Sequence, residues 1–177
     1  MNKTLSVKNL TISGLMLALA LVLPFLTGQI PQVGSALSPM HIPVLLCGFI
    51  CGGVPAMIVG AIAPLLRFVL FGMPPLFPTG IAMCFELAAY GLLSGIFYRA
   101  FPKKVPYLYL SLVLAMVCGR LVWGAARLIM MGLGSSSFSW AVFLSGAVTN
   151  AIPGIILHIV LIPIIVLALR RAKVITD

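Results

Sequence analysis

Three arginines and one glutamate stand inside apolar stretches long enough to cross a bilayer. Arg120 and Arg127 lie in LSLVLAMVCGRLVWGAARLIMM (110–131), Arg67 in the run that starts at Pro55, and Glu86 in the run that follows Pro78. At about 100° per residue, Arg120, Trp123 and Arg127 fall within a sector of about 60° on one helix face. An arginine at the centre of a spanning helix costs roughly 2.5–3.5 kcal/mol on insertion scales. Such a residue is retained where it faces an acidic partner, a watery cavity or an anionic ligand. The guanidinium is planar and suited to holding a carboxylate by two parallel hydrogen bonds.

These groups predict a small-molecule pocket lined by Arg67, Glu86, Tyr90, Arg120, Trp123, Arg127 and Asn150, with His41 at its mouth. Glu86 would orient one arginine and leave spare positive charge for an anionic or strongly polar solute. Thr79, Glu86 and Tyr90 share a helix face, and Trp123 supplies a flat apolar wall. The structural alternative pairs Glu86 with one arginine and uses another to cap loop carbonyls. His41 is expected at the outer surface, where helix-start capping and ligand contact are both open. His158 is read as an interhelical hydrogen bonder, far from His41 in depth, so no metal site is expected. Chemistry on the chain finds no support: Glu86 has no second acid beyond the terminal Asp177, and GxSxG, HExxH and Walker motifs are absent. No enzyme activity and no cofactor are expected.

The elements that must carry these residues follow from composition. Of 177 residues, 62% are hydrophobic and 7% charged, too little charge to cover a soluble domain. The mean hydropathy is +1.24. The chain therefore reads as an all-α integral membrane protein, one six-helix domain over 1–177. The apolar run after MNKTLSVKNL continues to Leu26 without a small-x-small cleavage site, which makes it a first span rather than a leader. The four cysteines all sit in apolar runs and read as buried thiols. No aromatic-basic interleaving suggests nucleic acid.

Six helices are expected, at about 9–26, 41–51, 55–71, 79–98, 110–131 and 140–169. Gly52-Gly53-Val54-Pro55 separates the second from the third, and the second is short for a crossing. Eight of the 11 basic residues fall before helix 1, between helices 4 and 5, or after helix 6. The three intervening loops (28–40, 72–79, 132–139) carry no Lys, Arg, Asp or Glu. The positive-inside rule then places both termini in the cytoplasm. On that topology Arg67, Glu86, Arg120, Arg127, Thr149 and Asn150 lie at mid-depth or in the outer half. Gly48/Gly52, Gly91/Gly95 and Gly14/Ala18 are small-xxx-small pairs; the first two fit internal packing and the third a partner.

The segments SPMHIPVLLCGFICG, PLLRFVLFGMPPLFP, FELAAYGLLSG and GRLVWG make the chain similar, over nearly its whole length, to the substrate-binding S components of energy-coupling factor (ECF) vitamin transporters. The resemblance implies a six-helix bundle that holds a small water-soluble vitamin in its outer half, under loops 1, 3 and 5. It also implies a membrane coupling subunit and two cytoplasmic ATPases as partners, with transport by tipping of the whole subunit in the bilayer. The family's helix 1 motif is Ala-xxx-Ala, and the nearest match here is Gly14-xxx-Ala18. Pantothenate is the leading vitamin, because of the spare positive charge, with pyridoxine and a hydroxymethylpyrimidine as neutral alternatives. The rival classes are a stand-alone ion-coupled carrier, with Glu86 carrying the proton, and a structural membrane subunit.

Overall fold

The computed structural model describes residues 6–27, 37–132 and 152–175, where the chain forms helices and no strand. Helix α1 is Val7–Val22, α2 His41–Cys51, α3 Gly53–Phe71, α4 Ile81–Ala100, α5 Val105–Gly132 and α6 Ile152–Arg171. Ser6 starts α1 two residues earlier than expected, because its hydroxyl accepts the Asn9 N–H at 3.3 Å and satisfies a free donor of the first turn. After Val22 the chain tightens into a 3-10 turn, Leu23–Thr27. Pro24, which has no N–H, cannot continue the α-helical ladder.

Among the described residues, five segments are long and apolar enough to cross a membrane, which makes this a multi-pass membrane protein. Helix α2 is the exception and amends the expectation of six spans. Its 11 residues rise only about 16 Å, roughly half the hydrocarbon thickness. It stops at Gly52, whose φ of 98° lies in the left-handed region where a side chain would be strained. Arg99 donates to the Cys51 carbonyl at 3.2 Å and so satisfies the end of this short helix.

Contacts at the helix ends show that the helices alternate in direction. At the end rich in basic residues, Lys8 donates to the Val174 carbonyl at 3.0 Å and Arg170 to the Tyr98 hydroxyl at 2.8 Å. At the opposite end, the rings of Phe25 and Phe71 meet edge to face at 4.9 Å. Between the two ends, α2, α3 and α4 pack backbone to backbone. A Cβ at Gly48 would strike the Ser94 hydroxyl, one at Gly60 the Leu87 carbonyl, and one at Gly91 the Ala56 carbonyl. The Gly48/Gly52 and Gly91/Gly95 pairs therefore serve internal packing, as expected. Leu45, Leu87, Leu108, Leu112 and Ile162 fill the core, while Leu10, Val69, Leu121 and Ile129 point outward. All four cysteines are free thiols.

Candidate functional site

Glu86 lies in the second turn of α4 and is 1% exposed, so its charge must be met by protein. Two groups meet it. Arg120 Nη1 of α5 donates to Oε1 at 2.8 Å, and His41 Nε2 lies 3.6 Å from Oε2. Gly119 makes this possible. The Tyr90 ring occupies the space that a Cβ there would need, so α4 and α5 approach closely and the next residue, Arg120, reaches Glu86.

His41 and His158 are both buried, and their rings stack 6.0 Å apart at 25°. This corrects two expectations, that His41 stands at the surface and that the two histidines differ in depth. The reason is the length of α2. Anchored at Gly52 beside α4, it ends after about 16 Å, level with Glu86 rather than at the membrane surface. Sequence reasoning missed His158 as a member of this group.

Four buried polar atoms of the group have no hydrogen-bond partner among the described residues: His41 Nδ1 and Nε2, His158 Nε2 and Arg120 Nε. An unsatisfied buried polar group costs about 1–3 kcal/mol, so each of these atoms favours a polar partner. Along the same face of α5, the Trp123 ring has the Arg120 guanidinium 5.5 Å from its centroid and the Arg127 guanidinium at 5.6 Å. Arg127 Nη1 donates to the Thr79 hydroxyl at 3.5 Å, the limit of a hydrogen bond. By helical rise Arg127 is about 10 Å from Arg120 along α5.

Arg67 is engaged elsewhere. Its Nη1 donates to the Leu21 carbonyl at 2.7 Å, and its guanidinium lies 5.2 Å from the Phe25 ring and 5.5 Å from the Phe71 ring. In the tightened turn after α1, the amide that would reach Leu21 O belongs to residue 24, a proline. Arg67 thus acts as the carbonyl cap of the structural alternative, and its recorded contacts do not join it to the Glu86 group. Thr149 and Asn150 lie outside the described residues. Gly14 and Ala18 are exposed on α1, and a Cβ at Gly14 would meet nothing within 4 Å. Among the described residues, no three or more His, Cys, Asp or Glu side chains are placed to hold a metal ion.

Glu86 and Arg120 neutralise one another, and Arg127 has an aromatic face and one hydroxyl but no counter-ion among the described residues. No curated protein and no solved structure matches the chain. Residues 8–166 match the model of a family described as "ECF transporter, substrate-specific component". With that match running from α1 through most of α6, the chain belongs to the substrate-specific components of ECF transporters, the membrane subunits that bind the solute for an energy-coupling module.

Proposed function

We propose that this subunit captures a small anionic water-soluble vitamin, pantothenate being the leading one, from the side opposite the basic end. The basic end then faces the cytoplasm, in keeping with the positive-inside rule. The observation that carries the reading is Arg127, a half-buried cation laid on Trp123, while the membrane-embedded carboxylate of Glu86 is already taken by Arg120. A carboxylate would give Arg127 the charge-assisted, two-pronged partner it lacks. The same pairing of Glu86 argues against the stand-alone carrier, since an acid held by Arg120 at 2.8 Å is a poor proton shuttle. The membrane coupling subunit docks on the α1 face of Gly14 and Ala18, and two ATPases power it from the cytoplasm.

The test is a thermal-shift screen of the purified protein against water-soluble vitamins. Pantothenate should raise the melting temperature most. A shift with pyridoxine or the hydroxymethylpyrimidine alone would replace the anion by a neutral ring, and no shift with any vitamin would remove the reading.

A further inference from the structure

Building on the reading of this chain as a solute-binding subunit, we infer that its ligand is recognised at two ends: one carboxylate at Arg127, and one or more hydroxyl groups at the His41–His158 pair beside Glu86 and Arg120.

The polarity follows from what each end lacks. Among the described residues, His158 Nε2 and both ring nitrogens of His41 are buried without a hydrogen-bond partner. An imidazole with one N–H carries one donor and one bare lone pair, so a pair of rings left open in this way calls for an acceptor and a donor at once. Arg120 Nε, in the same cluster, requires an acceptor. A hydroxyl meets both demands, since it accepts from a guanidinium and donates to an imidazole. A carboxylate placed here could only accept, and would leave an imidazole lone pair unmet. It would also face the buried Glu86 carboxylate, a like charge in a low-dielectric site.

The opposite end has the reverse character. Arg127 brings a full positive charge, and Thr79 a hydroxyl. With Glu86 and Arg120 cancelling and Arg67 committed to α1, Arg127 is, among the described residues of this cluster, the cation left for the ligand. The ligand is therefore a monoanion. A phosphate ester or a dicarboxylate would leave negative charge uncompensated.

The experiment measures affinity by titration calorimetry on the purified chain in lipid nanodiscs. The probes are pantothenate, its primary amide, and its analogue with both hydroxyls replaced by hydrogen. For the wild type, losing the carboxylate charge or losing the hydroxyls should each weaken binding about 10-fold or more. In Arg127→Gln the acid and the amide should bind alike while the hydroxyl preference persists. In His158→Phe the hydroxylated and deoxygenated compounds should bind alike while the acid preference persists. If the histidine variant does not fold, the wild-type series decides alone. Equal wild-type affinity for hydroxylated and deoxygenated acids overturns the inference, as does a hydroxyl preference abolished by Arg127→Gln. Binding of a neutral ring vitamin but none of these acids also overturns it, and leaves solute capture standing. Binding of no vitamin at all removes the solute-capture reading, and this inference with it.

Discussion

Arg67, Arg120 and Arg127 are chemically identical side chains that the fold uses in three ways. One caps the Leu21 carbonyl, one neutralises Glu86, and one is left on Trp123. Their substitutions should separate accordingly. Arg127→Lys keeps the charge but loses the fork, and pantothenate binding should weaken about 10- to 150-fold with little change in melting temperature. Arg67→Met should do the opposite, lowering stability by about 1–3 kcal/mol through the orphaned carbonyl and leaving affinity within about twofold. Glu86→Gln removes the partner of Arg120, which keeps 21% exposure, so the loss should be about 3 kcal/mol, at the low end for a broken buried pair. Thermal unfolding and calorimetry on each variant read both quantities. The pairing of Glu86 with an arginine was legible from residue types alone, because one acid in so apolar a chain has few partners. Which arginine it takes was not, since Gly119, which lets α5 close on Tyr90, gives no hint of that role in one dimension.

At the scale of elements, the helices themselves were readable from apolar length and from the glycines and prolines between them. The depth of α2 was not. Placing its first residue at the surface assumed that every apolar run begins at an interface, and an 11-residue run cannot. Counting from the basic end would have served better. Glu86 lies 13 residues from Arg99 and His158 12 from Arg170, which puts both near mid-bilayer by helical rise. The glycine contacts make a prediction of their own. Gly91→Ala should abolish folding or lower the melting temperature sharply, because the added methyl meets the Ala56 backbone, which cannot give way. Gly14→Leu, on open α1 surface, should leave melting temperature and vitamin affinity unchanged. If that face docks the coupling subunit, the same change should abolish vitamin uptake in cells that supply the energy-coupling module.

For the whole molecule, membership of the substrate-specific family assigns energy use to other subunits. Proteoliposomes containing this chain alone should bind labelled pantothenate without accumulating it, and adding the coupling subunit, both ATPases and ATP should produce accumulation. Accumulation driven by a proton or sodium gradient on the chain alone would restore the stand-alone carrier.

The bond from Lys8 to the Val174 carbonyl holds the start of α1 and the segment just after α6 side by side at the basic end. The order of the helices along the polypeptide is then separable from their arrangement in space. A circular permutant that joins residue 177 to residue 1 through a short flexible linker, and is reopened in the turn at 101–104, would begin with α5 and finish with α4. Its new termini would emerge on the same side as the old ones, and the basic residues that orient the chain would stay where they are. Such a rearranged protein should insert, melt within a few degrees of the parent and bind the same vitamin, as thermal unfolding with and without pantothenate would measure.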